Sequence, residues 1–284
     1  MSRGFRSLHP AVSFLYYTGA VLLLFLMNHP LFLLTSFFLL FAVNLLYDGG
    51  KAFFQWKGMM LMTVGVILIV NPLTSERGSH VLWVISGHHI TLESILYGGI
   101  MAITMINVMA VFTSYQQVIS SDKFLYLFAG FLPQWSLLTM MSLRFIPLLR
   151  TRIREIALVQ QSRMNPSLKP SWKEQVVQGM KRLEVLLTWS LEDGLQTAES
   201  MKARGYGTGR RTSYSPYHWS LKDGISFLFL SATFGACISG WATGWGTLEI
   251  YPVMEPLLPD TPEWLLLAPY LFYYSFPVWM ELGG

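Results

Sequence analysis

Two arginines stand where helices are predicted to end, in positions from which they could bind an acidic partner. Arg163 lies in the tripeptide Ser162-Arg163-Met164, and Arg204 lies in Ala203-Arg204-Gly205. A guanidinium is planar and can grip a carboxylate through two parallel hydrogen bonds. Residue type and position therefore make both arginines candidates for docking into an acidic groove.

Plainer explanations fit the same two arginines. A glycine just past the last turn is a common helix stop because it accepts a positive φ. A cation near a helix C-terminus gains about 0.3–1 kcal/mol from the helix dipole. Basic residues near a membrane also attract anionic lipid headgroups, by about 1 kcal/mol each. Spacing alone leaves helix termination, lipid binding and protein docking open.

The helix that carries Arg204 is predicted to run from Ser171 to about Arg204. Ser171 and Glu174 form the Ser-x-x-Glu pattern of a capping box. Apolar and small side chains then recur every three or four residues, which predicts a helix with one apolar face. This stripe comprises Val176, Val177, Met180, Leu183, Leu186, Leu187, Ser190, Leu191 and Gly194.

The helix that carries Arg163 is predicted to begin at Arg150 and to stop at Asn165-Pro166. The preceding residues 122–149 are mixed in character, with Pro133 and Pro147 as expected interruptions. Part of this run is apolar enough to lie at a membrane, although Arg144 and Pro147 argue against a simple span.

Composition places the rest of the chain in a membrane. The 284 residues are 52% hydrophobic and 13% charged, whereas soluble domains average about 25% charged residues. Basic residues concentrate in residues 144–211, which hold 13 Lys and Arg against 6 Asp and Glu. The chain is therefore predicted to be an integral membrane protein with a basic helical insertion.

The predicted fold is all-α and polytopic, with about six transmembrane helices and two long helices outside the membrane. Lys and Arg in alternate loops favour an arrangement with both termini in the cytoplasm. The predicted organisation is residues 1–120 with four spans, 121–215 with the two long helices, and 216–284 with two spans. The six spans are residues 11–27, 31–47, 58–70, 95–112, 225–241 and 264–280.

The sequence gives little support for an enzymatic function. There is no Gly-x-x-x-x-Gly-Lys-Ser/Thr loop for ATP, and no Ser/His/Asp or His-Glu-x-x-His arrangement. The predicted spans hold almost no ionisable side chains, which disfavours an intramembrane enzyme. His80, His88 and His89 are expected in a solvated loop rather than at a metal. No nucleic-acid partner is expected, and a membrane scaffold that binds lipid or a cytoplasmic protein stays an alternative.

Several motifs make the chain resemble the transmembrane T component of energy-coupling factor (ECF) transporters. The motifs follow the order of that family: an early His-Pro, NPLTSERG after the third span, ITLESILYGG at the fourth, SSDKFLYLF, LRFIPLLRTRIREI and SMKARGYG. The last motif is the most specific, and the resemblance covers nearly the whole chain.

The resemblance implies a non-catalytic coupling subunit in the bacterial plasma membrane. In that family each of two coupling helices ends in an Ala-Arg-Gly motif that docks on one of two ABC-type ATPases. Here Ala203-Arg204-Gly205 is intact, whereas Ser162-Arg163-Met164 keeps only the arginine. ATP and Mg²⁺ would bind the ATPases and no cofactor this chain, while a small membrane substrate-binding subunit would carry a vitamin or metal ion. Residues expected to pack on that subunit are Val177, Met180, Leu183, Leu187 and Leu191.

Overall fold

The computed structural model describes residues 4–75, 81–85, 88–162, 171–209, 217–248 and 261–282. Helices dominate the described residues, which confirms the predicted all-α class. In chain order the elements are α1 (Pro10–Leu26), α2 (Pro30–Asp48), α3 (Lys51–Gln55), α4 (Lys57–Thr74), β1 (Val81–Ile85), β2 (His88–Thr91), α5 (Leu92–Val118), α6 (Ser121–Ala129), α7 (Pro133–Ser162), α8 (Trp172–Ala203), α9 (Leu221–Ala242) and α10 (Thr261–Leu282).

The chain divides into two compact units. The membrane unit comprises Met1–Phe124 and Tyr217–Gly284, and the arm comprises Leu125–Pro216. Each of the six predicted spans is a helix of the membrane unit: α1, α2, α4, α5, α9 and α10. Among these, α2, α4, α5 and α9 are long and apolar enough to cross a membrane, and α1 is a shorter apolar helix of 17 residues.

Some predicted boundaries are wrong. The first long helix was expected to begin at Arg150, but α7 is continuous from Pro133 and contains Pro147. Pro72 likewise lies inside α4 rather than after it, whereas the start of α4 at Lys57 agrees with the predicted start of the third span. His88 and His89, expected in a loop, lie in β2, which pairs with β1 as a short antiparallel hairpin. Proline removes one N–H donor, which a helix end or a long helix can tolerate.

Tyrosines of α10 form the centre of the membrane unit. The Tyr273 hydroxyl donates to the carbonyls of Leu15 and Tyr16, both at 3.0 Å, and the Tyr274 hydroxyl donates to the carbonyl of Ala20 at 2.7 Å. All of these carbonyls belong to α1. Phenol hydroxyls inside a membrane protein need such partners, because no water is available there. Hydrogen bonds to α1 thus satisfy the buried hydroxyls of Tyr273 and Tyr274.

Arg6 and Lys123 join the ends of α2 and α5. Arg6 donates to the carbonyl of Tyr47 at 2.9 Å and to Gln117 Oε1 at 3.3 Å. Lys123 Nζ donates to the carbonyls of Arg6 at 2.7 Å and Val118 at 3.2 Å. Both cations lie at helix C-termini, where the dipole favours them. Burial and then the charge of Arg6 lower the pKa of Lys123, which lies two residues before the arm begins.

The N-terminal segment also contacts the two C-terminal helices. The backbone N–H of Phe5 donates to Glu281 of α10 at 3.0 Å, and that of His9 donates to Asp223 of α9 at 2.8 Å. Burial lowers the pKa of the His9 imidazole, and the Asp223 carboxylate opposes that shift. Residues before α1 therefore contact five helices at one end: α2, α5, α6, α9 and α10.

Candidate partner-docking site

A glycine cap ends α8 directly after Arg204. The N–H of Tyr206 donates to the carbonyl of Met201 at 3.0 Å, and the N–H of Gly205 donates to that of Lys202 at 2.9 Å. These two bonds define a Schellman motif, which requires a left-handed residue just past the helix. Gly205 supplies it with φ of 81°. The glycine of Ala203-Arg204-Gly205 therefore has a structural role in the cap.

Arg204 occupies the last position before the chain turns away from α8. Its backbone N–H still donates to the carbonyl of Ser200 at 3.1 Å, so its Cα is fixed by the helix. Its side chain is exposed, and among the described residues it has no hydrogen-bond or ion-pair partner. A guanidinium held on a rigid helix end and left unpaired is available to an acidic partner.

Replacing Gly205 by alanine should loosen the cap. Alanine at positive φ costs roughly 1 kcal/mol, so we expect faster hydrogen exchange of the amides of Gly205 and Tyr206, by about fivefold to tenfold. Gly194→Ala is the matched control, because Gly194 lies inside α8 with open space around it. That substitution should stabilise α8 by up to about 1 kcal/mol. Equal exchange rates in both variants would contradict the role of Gly205.

The predicted site on the first long helix is only partly described. Ser162 is the last residue of α7, and its hydroxyl donates to the carbonyl of Val159 at 2.8 Å. Arg163 and Met164 lie outside the described residues.

Two contacts hold α7 against α8. Arg182 Nε donates to Gln160 Oε1 at 2.8 Å, and the guanidinium of Arg152 lies 4.7 Å from the ring centroid of Trp189. Going forward along α7 from Arg152 to Gln160, the partners on α8 go backward from Trp189 to Arg182. The helices are therefore antiparallel. These four residues were not predicted as contacts, because their pairing depends on the register of two distant segments.

The antiparallel arrangement separates the two helix ends. Arg204 lies 22 residues beyond Arg182 on α8, about 33 Å at 1.5 Å per residue. Ser162, by contrast, follows two residues after Gln160, the partner of Arg182. The end of α7 and the end of α8 can therefore bind at two well-separated places.

The other predicted surface is exposed on α8. The five residues predicted to pack on a membrane subunit are 44–70% exposed: Val177, Met180, Leu183, Leu187 and Leu191. At about 100° per residue they fall within roughly 120° of one another around the helix. The half-buried residues that face α7, such as Arg182 and Trp189, lie on another side. We call the five exposed residues the α8 stripe.

No metal site is evident in the part of the chain that the structure describes, since no three His, Cys, Asp or Glu side chains cluster there. His80 lies outside the described residues, and nothing is described of the side chains of His88 and His89. The described features are thus a bundle of apolar helices and a helical arm with an exposed arginine and an exposed apolar stripe.

These features define a multi-pass membrane protein with a helical arm. Comparison with known families gives the class a name: residues 1–214 match the family described as CbiQ, cobalt transport protein. The chain belongs to this family. It is therefore a membrane component of a transporter.

Two curated relatives have names that agree with the predicted resemblance. A Bacillus selenitireducens protein named energy-coupling factor transporter transmembrane protein EcfT is 29% identical over 216 residues, which are 71% of this chain and 80% of the relative. A Staphylococcus aureus protein of the same name is 26% identical over 237 residues, 78% of this chain and 87% of the relative. The resemblance to the T component of ECF transporters is confirmed.

Proposed function

We propose that this chain is the coupling subunit of an ECF-type importer. It transmits the motion of two ATPase subunits to a small membrane subunit that binds a vitamin or metal ion. ATP and Mg²⁺ bind to the ATPases, and this chain binds no cofactor and catalyses no reaction. When the ATPases close on ATP and separate after hydrolysis, the ends of α7 and α8 follow them.

The position and exposure of Arg204 are the observation on which this proposal rests. Arg204 is exposed, unpaired among the described residues and fixed by the Schellman motif at the end of α8. A helix transmits displacement only if the backbone of its contact residue is fixed, and the cap fixes the backbone of Arg204. Arg163 is the proposed second contact, next to Ser162. The separation of the two helix ends suits a pair of ATPases better than a single small partner.

The α8 stripe supports a second contact, with the substrate-binding subunit. Exposed apolar side chains on one face of a helix favour a protein partner with a matching apolar surface. Because the stripe and the docking end belong to one helix, displacement of Arg204 moves the stripe as well. This linkage is how ATPase motion would reach the substrate-binding subunit.

The proposed location is the bacterial plasma membrane, with the arm and both termini in the cytoplasm. The distribution of Lys and Arg supports this orientation, because residues 144–211 hold 13 of the 20 basic residues. ATPases that use cellular ATP can dock only on that side.

Reconstitution tests the proposed function directly. The chain is purified with its ATPases and membrane partner, placed in vesicles, and supplied with ATP and labelled vitamins or cobalt. The proposal requires uptake that depends on both ATP and this chain. A stable complex that hydrolyses ATP but moves none of these cargoes would favour the alternative, a membrane scaffold.

A charge in the α8 stripe should release the substrate-binding subunit. We expect Leu187→Glu to weaken its retention by about 2 kcal/mol, or roughly 30-fold, because a carboxylate would be desolvated in an apolar interface. Val185→Glu is the control, since Val185 is exposed (49%) but lies off the stripe. Co-purification from detergent measures both variants. If both lost the subunit equally, the stripe would not be the interface.

A further inference from the structure

The first half of α7 is apolar and exposed on nearly every side. Residues 124–149 contain a single charged side chain, Arg144, although they include most of α6 and more than half of α7. Charges return at once in the second half of α7, with Arg150, Arg152 and Arg154. The composition of α7 therefore changes sharply at Arg150, without any break in the helix.

Exposed apolar residues surround this half of the helix. The five residues are Leu138 (57% exposed), Met140 (50%), Leu143 (40%), Ile146 (47%) and Leu148 (39%). At about 100° per residue they point in five directions, and neighbouring directions differ by no more than about 80°. The remaining side, with Leu137, Met141, Phe145 and Leu149, is half-buried and spans about 120° of the helix. The α8 stripe, in contrast, occupies about a third of its helix.

This difference indicates what surrounds each helix. A protein groove covers one face of a helix, as the α8 stripe would require, whereas a helix that is apolar all round is at home inside a protein core or in lipid. The order of the helices along the chain favours lipid. Helix α5 is apolar enough to cross a membrane, α6 follows it after two residues, and α7 follows α6 after three.

Three hydroxyls of this half already donate hydrogen bonds within the arm. Ser136 Oγ donates to the carbonyl of Leu125 at 3.2 Å, Thr139 Oγ1 to that of Trp135 at 2.8 Å, and Ser142 Oγ to that of Leu138 at 2.8 Å. Hydroxyls that donate to backbone carbonyls need no water. Arg144 has a long apolar stem, which lets its guanidinium reach the headgroups.

We propose that residues 133–149 of α7 lie in bilayer lipid and that the helix leaves the lipid at Arg150. Basic residues flank the segment at both ends, Lys123 before it and Arg150 after it, so both ends face the same, basic side of the membrane. The segment therefore lies within the lipid but does not cross the membrane. The first half of α7 then anchors the arm in the membrane.

Spin labels test this placement on the intact transporter in phosphatidylethanolamine–phosphatidylglycerol vesicles. Cys237 is the sole cysteine, so Cys237→Ala gives a background for single labels at Leu138→Cys, Met140→Cys, Leu143→Cys and Ile146→Cys. We expect all four labels to be accessible to oxygen and protected from a water-soluble nickel chelate. Leu158→Cys is the matched control on the second half of α7, where a 66% exposed leucine should be reached by the chelate.

Each other result overturns the proposal. Chelate accessibility at the four positions would place the segment in water. Protection of all four from both reagents would mean that a protein partner covers them. A label at Leu158 that behaves like the other four would remove the boundary at Arg150. Labelled variants count only if the complex still co-purifies. The result is independent of ATPase docking, because it reads lipid contact and not transport.

Discussion

Arg204→Ala is expected to detach the ATPase that we propose docks at the end of α8, while leaving the protein in the membrane. Removing one member of a charge pair that becomes buried on binding costs about 2–5 kcal/mol. That range corresponds to a loss of affinity of roughly 30-fold to 5,000-fold. The substitution should not unfold the chain, because the Arg204 side chain contacts no charged or hydrogen-bonding partner among the described residues. Co-purification of the ATPases and ATP-dependent uptake measure the effect.

Two further variants separate docking from plainer roles. Lys202→Ala removes the same charge from the last turn of the same helix, and Lys202 is also exposed. If Arg204 acted only by interacting with the helix dipole or with anionic lipid, Lys202→Ala would reduce ATPase co-purification and uptake to a similar extent. Arg204→Lys keeps the charge but loses the planar fork, so partial retention is expected if the contact is bidentate.

The double variant Arg163→Ala/Arg204→Ala gives the strongest test. It should lose both ATPases, because both proposed contacts are removed. If this variant retained its ATPases at the level of the unmodified protein, docking through the two arginines would be wrong.

Gly19→Ala is expected to destabilise the membrane unit. A Cβ at Gly19 would collide with the Tyr273 hydroxyl oxygen and lie 3.2 Å from Phe234 Cδ2. Tyr273 cannot easily yield, because its hydroxyl donates to two carbonyls of α1 and its ring stacks on Tyr16 with centroids 5.5 Å apart. Overpacking costs about 1–3 kcal/mol, and the lost hydrogen bonds add about 1 kcal/mol. The higher helix propensity of alanine offsets about 1 kcal/mol of this cost. The free energy of unfolding should therefore fall by about 2 kcal/mol.

Thermal unfolding in detergent measures this loss. Gly235→Ala on α9 is the control, since a Cβ there meets nothing within 4 Å, and we expect it to unfold at or slightly above the temperature of the unmodified protein. Adding Tyr273→Phe to Gly19→Ala removes the hydroxyl that collides, so the double variant should be more stable than the sum of the single effects. A Gly19→Ala protein as stable as the Gly235→Ala control would show that α1 and α10 do not approach this closely.

Signals within a few residues of one another predicted much of the arm. The Ser-x-x-Glu pattern places the start of α8 correctly, since the N–H of Ser171 donates to Glu174 Oε2 at 2.9 Å. The glycine after Arg204 likewise marked the end of α8, where Gly205 takes φ of 81°. Caps depend on neighbours three to five residues away, and those neighbours are visible in the sequence.

The prolines show where local signals fail. Pro147 was expected to interrupt the chain, yet α7 passes through it. One missing N–H is a small loss compared with the many hydrogen bonds and apolar contacts that keep a 30-residue helix continuous. The proposed lipid contact of residues 133–149 depends on that continuity, because only a helix displays apolar residues around its whole circumference.

Composition, periodicity and local caps were enough to predict a multi-pass membrane protein, its six apolar helices, the α8 stripe and the candidate docking arginine. The antiparallel register of α7 and α8, through Arg152–Trp189 and Gln160–Arg182, became visible only in the folded chain. The same is true of the close approach of Gly19 and Tyr273. These contacts join residues far apart in the chain, and their energies depend on a geometry that a linear pattern does not contain.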